Sequence, residues 1–306
     1  MRKVIVSGAN GFIGSALVRE LIANGVEVLA LHTHGNADNI PKHELVSSLP
    51  VDIANIDQFA GSIENGKFDT FYHFAWAGSA GEARVDCELQ MRNALWTVDC
   101  LKFAHAIGCT RFVGAGSIME KEVVAAVTAQ QTRPGMAYIY GAGKLTAHCL
   151  AKPVAADLGI ELVWSIITNA YGEGEFSPRF VNSTIRKIIK GEPLQFTAAT
   201  QNYDFVHISD VAKAFYLIGS KGRPFCEYVI GSSNARPLKE FIIEMQQKLA
   251  PDSQPVFGDV PFTGTDMPLS VFDASAIQAD TGFKAEVSFA EGTQRTMDWI
   301  KSVESI

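Results

Sequence analysis

A β-branched run, Val4-Ile5-Val6, passes into three glycines spaced three apart, Gly8, Gly11 and Gly14, and then at once into the apolar rhythm of a helix. No other stretch restricts the fold so tightly. The pattern is a strand, a tight turn and a helix start. Gly8 permits the turn, Gly11 lets backbone N–H groups close on a pyrophosphate, and Gly14 lets the helix lie against the strand. The helix N-terminus adds its partial positive charge. A glycine triplet alone also fits a plain structural turn, so the rest of the chain has to carry the reading.

It does so by alternation. Strands are expected at 4–7, 26–31, 69–75, 110–114 and 160–167, and helices at 13–24, 82–107 and 138–158. This rhythm predicts an α/β fold with a Rossmann-like, doubly wound parallel sheet, right-handed crossovers, and the ligand at the carboxyl ends of the strands. After Gly172 the elements shorten, with helices expected at 179–190, 210–218 and 238–248 and a Pro- and Gly-rich segment at 251–268. The expected division is a dinucleotide-binding domain over 1–172 and a smaller C-terminal α/β substrate lobe over 173–306, some of whose segments return to the first domain.

Composition narrows the partners. A net charge of −7, with no basic block, argues against nucleic acid. No apolar run reaches the roughly 18–20 residues of a membrane span. The chain enters a core strand at once, so no signal peptide is expected. Cys87, Cys100, Cys109, Cys149 and Cys226 are odd in number and form no C-x-x-C pair. They read as buried reduced thiols of a cytoplasmic protein, with no metal site.

Chemistry is suggested further on. Tyr140 and Lys144, four apart, share a helical face. A free tyrosine titrates near pH ~10. A neighbouring ammonium and an oxidised nicotinamide favour the phenolate, so Tyr140 can exchange a proton with a carbonyl or alcohol oxygen while a hydride moves. Ser117 ends the apolar stretch 111–116, where a hydroxyl can donate to a substrate oxygen and accept from a phenol.

With Gly8/Gly11/Gly14, Ser117 and Tyr140/Lys144 in that order, the chain resembles the extended short-chain dehydrogenase/reductase family, in its nucleotide-sugar epimerase/dehydratase branch. The resemblance extends over nearly the whole chain. It implies a cofactor site formed by Gly8, Asn10, Gly11, Phe12, Ile13, Gly14, His32, Asp52, Ile53, Phe74, Ala75, Trp76, Asn93, Tyr140 and Lys144. Asp52 and Ile53 resemble the pair that holds the adenine, 73–77 the strand under the cofactor, and Asn93 the helix asparagine that supports the active site. The implied substrate residues are Trp76, Ser117, Ile118, Met119, Glu120, Asn169, Arg179 and Tyr203, with 169–172, 191–194 and 204–211 resembling lobe motifs.

Departures from the family pattern bear on the reaction. The 4,6-dehydratases carry Asp-Glu directly after the catalytic Thr, whereas Ile118 and Met119 follow Ser117 here. Glu120 comes one place later, as a possible site residue. Lys121-Glu122 replaces a common Tyr-Gly, and Tyr203 replaces an Arg that pairs with the nucleotide diphosphate, a loss for which Arg179 is the preferred substitute. The second strand ends in Leu31-His32-Thr33-His34 without the carboxylate that binds a ribose 2′-hydroxyl. Neither His32, His34 nor Lys42 repels a 2′-phosphate, which slightly favours NADP(H) over NAD(H).

The leading expectation is an oxidoreductase that reduces a 4-keto sugar linked to a nucleoside diphosphate. A 4-epimerase with bound NAD uses the same residues, and a small-carbonyl reductase is supported by the missing Arg at 203. A non-catalytic redox-sensing regulator is disfavoured by the retained Tyr/Lys pair. Leu89, Leu95, Trp96, Leu101, Leu145, Leu150 and Val154 put apolar groups on more than one face of two long helices. Resembling proteins pair those helices, so a homodimer is expected.

Overall fold

The computed structural model describes residues 1–33, 35, 37–63, 68–131, 133–262 and 264–304. Strand β1 (Lys3–Ser7) is buried over four of its five residues and feeds α1 (Phe12–Ala23). There follow β2 (Glu27–His32), β3 (Val46–Pro50), β4 (Thr70–His73), α2 (Cys87–Ala106), β5 (Arg111–Ser117), α3 (Met119–Thr128), α4 (Tyr138–Leu158) and β6 (Glu161–Ile167). The later chain holds β7 (Asn169–Tyr171), α5 (Phe180–Lys190), β8 (Gln195–Phe196), β9 (Asn202–Tyr203), β10 (Phe205–His207), α6 (Ile208–Lys221) and β11 (Glu227–Ile230). It closes with β12 (Arg236–Pro237), α7 (Leu238–Leu249), β13 (Val256–Phe257), α8 (Ser275–Thr281) and α9 (Phe289–Glu304).

Seven strands form one sheet in the order β3-β2-β1-β4-β5-β6-β11, every pair parallel. The order reverses at β1, so the crevice beyond its carboxyl end lies between β2 and β4, where a doubly wound sheet takes its ligand. Alternation along the strands sorts the core into two layers. Val4 and Val6 of β1 pack with Leu17 and Leu21 of α1 and Phe215 and Ile218 of α6. Ile5 points the other way, into a layer with Leu101 of α2 and Ala147 and Ala151 of α4. A third cluster, including Val181, Ile185, Phe205, Phe241, Phe289 and Ile300, forms the interior of the lobe. Past residue 172 the chain returns to the half built on the sheet, since β11 completes the sheet and α6 and α8 join the α1 layer.

Several expectations shift. The helix expected over 82–107 divides into a 3-10 turn (Glu82–Val85) and α2, because Asp86 is extended and its carboxylate accepts the Leu89 N–H at 3.1 Å as an N-cap. Helix α3 and strands β3 and β11 were not foreseen. The cysteines are free, but Cys87 and Cys149 are exposed rather than buried, because they fall on the outer faces of α2 and α4. Burial pushes the Cys109 thiol up to about 12, an inert group. Among the described residues no helix is long and apolar enough to cross a membrane.

Candidate active site

The glycine turn is shaped by close backbone approach. Gly8 has φ +69°, and a Cβ there would stand 2.7 Å from the Ala75 nitrogen. A Cβ on Gly14 would stand 2.2 Å from the Gly8 carbonyl oxygen, a distance no side chain can hold. Gly11 is the N-cap of α1 and offers no side-chain cap, so the first N–H groups of the helix are left facing the crevice. These features suit a dinucleotide pyrophosphate. Phe12 and Ile13 open the helix and pack against the core, and Asn10 is tied to the Asn39 N–H through Oδ1 at 2.8 Å.

The floor beside this turn is a buried polar chain. Ser7 Oγ meets His73 Nδ1 at 2.9 Å, and His73 Nε2 meets Thr97 Oγ1 at 3.1 Å. Burial, with Lys144 adding to it, pushes His73 down to about 3, so the imidazole is neutral at pH 7. Ala75 N lies 3.4 Å from Ser7 Oγ, and Phe74 packs edge-on against Phe215. Asn93 accepts from Ala77 N at 2.8 Å and donates to Ala77 O at 2.9 Å, which fixes the loop after β4. Asp52 caps the turn that begins at Ile53, accepting from Ala54 N at 3.0 Å. His32 keeps Nδ1 within 2.8 Å of the Thr33 carbonyl, and His34 lies outside the described residues.

Ser117, Tyr140 and Lys144 come together where β5 ends against α4. Burial pushes the Tyr140 phenol up; Arg84 and then Arg179 pull it back, Glu120 pushes up again, and the Ser117 hydroxyl, the smallest of the influences, lowers it. The group is therefore a phenol, able to give a proton, at neutral pH. Lys144 is buried, donates to the Ala115 carbonyl at 2.8 Å and lies 3.7 Å over the Trp76 ring. Burial lowers its pKa to about 7, against the opposing charge of Glu120. Trp76 stands edge-to-face with Tyr140 and is held by a 2.7 Å bond from Nε1 to Gln90 Oε1.

A cavity of about 280 Å³, lined among others by Arg84, Asn169, Ser177, Arg179 and Tyr203, adjoins this group through Arg84, which stands over Tyr140, while Trp76, Ser117, Tyr140 and Lys144 lie outside its lining. It thus gathers Asn169, Arg179 and Tyr203 of the expected substrate residues. Three others sit differently. Ile118 is 3% exposed and belongs to the apolar core. Met119 starts α3 at the closest backbone approach to Gly141. Glu120, expected to face substrate, is 1% exposed. Its carboxylate accepts from Ser117 N at 2.9 Å, meets His148 Nδ1 at 3.1 Å, and accepts from Trp164 Nε1 at 3.2 Å. Trp164 and His148, stacked on one another, turn Glu120 inward, so it holds Ser117 from behind instead of lining the cavity.

Sequence reasoning missed two groups. Arg84 lies with its guanidinium carbon 4.0 Å from the centre of the Tyr140 ring. Glu122 lines a small recess that shares Asn169 and Tyr203 with the main cavity, and burial raises its carboxyl to about 7, with Arg84 opposing. Neither belongs to a spaced motif. The only signal for Glu122 was the replacement of a common glycine, and there was none for Arg84.

Comparison with known proteins gives the family and the fold. The family described as "NAD dependent epimerase/dehydratase family" matches residues 4–231. A dTDP-glucose 4,6-dehydratase of Haemophilus influenzae is 23% identical, over 98% of each chain. A UDP-glucose 4-epimerase of Streptomyces lividans is 26% identical, over 78% of this chain and 79% of its own. The structure of the Bordetella bronchiseptica enzyme WbmF in complex with NAD+ superposes with a TM-score of 0.80 at 21% identity, covering 99% of this chain and 94% of that one.

Proposed function

The chain belongs to the NAD dependent epimerase/dehydratase family, and from that premise we propose that it reduces a 4-keto sugar carried on a nucleoside diphosphate. The observation that carries the reading is a buried Tyr140 phenol in a chain that has Ile118 and Met119 after Ser117, where a dehydratase needs two carboxylates. Glu120 does not restore the pair, because its oxygens are occupied. Bound reduced nicotinamide supplies the hydride. Ser117 donates to the carbonyl oxygen, Tyr140 gives that oxygen its proton, and Lys144 holds the ribose. Asn169, Arg179 and Tyr203 line the pocket for sugar and diphosphate.

The cofactor site is that of a nicotinamide dinucleotide. The lean to NADP(H) keeps one support, the missing carboxylate after β2, while the WbmF structure is named with NAD+. Side-by-side titration with NADH and NADPH separates them. A homodimer through α2 and α4 is supported by Leu95, 58% exposed, and Leu150, 37% exposed, on their outer faces.

A 4-epimerase is the second reading, favoured by the Streptomyces relative of that name; such a reaction would use the same Ser117, Tyr140 and Lys144. The test is to incubate purified protein with reduced cofactor and a nucleotide-linked 4-keto-hexose. Stoichiometric loss of reduced nicotinamide supports the reductase. Tightly bound NAD, with interconversion of 4-hydroxyl epimers and no net cofactor use, overturns it in favour of the epimerase.

A further inference from the structure

Arg84 takes its place by way of the backbone. Gly81 has φ +68°, the 3-10 turn Glu82–Val85 follows, and Asp86 then caps α2. The Arg84 guanidinium is carried over the cavity, where Nη1 donates to the Ser79 carbonyl at 2.7 Å. Its carbon then lies 4.0 Å from the centroid of Tyr140. Trp76 closes on the same ring from another side, edge-to-face at 6.1 Å.

Two other cations stand near. Arg179 is paired to Glu175 at 3.0 Å. Lys144 holds its ammonium 5.9 Å from the Tyr140 ring centre, nearer to Trp76 and bonded to Ala115 O. Arg84 spends its hydrogen bond on a neutral carbonyl, so its charge remains available to the ring. A phenolate spreads part of its charge over the ring carbons, and a planar guanidinium laid on the face meets that charge directly. Burial also leaves Lys144 only partly charged near neutrality, whereas an arginine stays charged.

We propose that Arg84 is a positioning residue for the proton-transferring tyrosine, fixing the Tyr140 ring from above and favouring its phenolate form through the guanidinium held over the ring. The proposal rests on Tyr140 being the proton donor. The groups that set the balance come from every surrounding element: Ser117 at the end of β5, Glu120 and Glu122 on α3, Lys144 on α4, and Arg179 ahead of α5. Against these, Arg84 is the strongest opponent of the burial that keeps Tyr140 protonated.

The experiment is a spectrophotometric tyrosinate titration of the unliganded full chain, with the difference from the Tyr140→Phe protein isolating one group. In Arg84→Gln, Tyr140 titrates about 1–2 pH units higher than in the parent, and in Arg84→Lys, which keeps charge without the guanidinium over the ring, the rise is smaller. The alkaline limb of kcat/KM for reduction moves up by the same amount, because a proton donor with a higher pKa stays protonated further. An unchanged Tyr140 titration in both variants overturns the proposal. The Tyr140→Phe protein separates the two ideas. If it turns over normally while the titration shift stands, the proton-donor reading fails and the electrostatic pairing survives. If it is inactive and the titration does not move, the reverse holds.

Discussion

The turn between β1 and α1 and the wall between β5 and α4 are built from opposite materials. The turn is backbone: Gly8 and Gly14 are there because a Cβ would collide with the chain, and the ligand-facing groups are N–H bonds that every residue possesses. The wall is side chain. Ser117, Tyr140, Lys144, Arg84 and Trp76 come from several different elements, and four of them are held by hydrogen bonds: Ser117 by Glu120, Trp76 by Gln90, Lys144 by Ala115 and Arg84 by Ser79. A backbone site tolerates almost no change and is widely shared; a side-chain site can be retuned one residue at a time.

The largest effect is expected in the wall. Tyr140→Phe lowers kcat by about 10²–10⁴-fold and leaves dinucleotide affinity nearly unchanged, as steady-state kinetics and a fluorescence titration would show. Equal loss of both would mean that wall and turn are not separable. Gly14→Val makes the reciprocal cut: with its Cβ aimed at the Gly8 carbonyl, it costs at least about 2 kcal/mol of stability in denaturant unfolding, and cofactor binding falls with it.

Glu120→Ala tests the support behind the wall. Both acceptor oxygens are lost, which leaves the Ser117 and Trp164 N–H groups without their partner and costs about 1–3 kcal/mol. Because Ser117 loses its anchor, kcat drops while KM changes little. A rise in KM alone would place Glu120 in the substrate cavity after all.

The smallest contrast is in pH. Lys144 titrates near 7 in the folded chain against 10.5 ordinarily, so between these values the unfolded chain binds more protons and stability rises with pH. Lys144→Met removes that slope and stabilises the unliganded protein near neutrality while abolishing turnover. A mutant that keeps the slope would show that another group causes it.

What could be read in the chain follows the same division. The glycine spacing was legible because close approach dictates the residue, and the main strands were legible because two buried faces demand long apolar runs, as in Arg111–Ser117 and Glu161–Ile167. Helix α3 was not, since Val124 and Val127 are exposed while Val123 and Ala126 are buried, which blurs its period. Strand β3 exposes Ser47 and Ser48 at the sheet edge and leaves little alternation. Tyr140 and Lys144 announced themselves by spacing, but the side chains around them did not. Glu120 was placed in the substrate site because only the fold reveals Trp164 and His148 waiting behind it, and Arg84 becomes meaningful only once α4 is laid beneath its turn.

The central claim is that the cavity beside Tyr140 receives a nucleotide-linked sugar, and it is tested most directly by thermal unfolding of the cofactor-saturated protein with UDP, dTDP, CDP or GDP. A nucleotide at 100 times its dissociation constant contributes about 2.7 kcal/mol, a rise of several degrees. That rise is expected for one of the four. Cofactor binding with no response to any nucleotide would contradict it and leave a reductase of small free carbonyls.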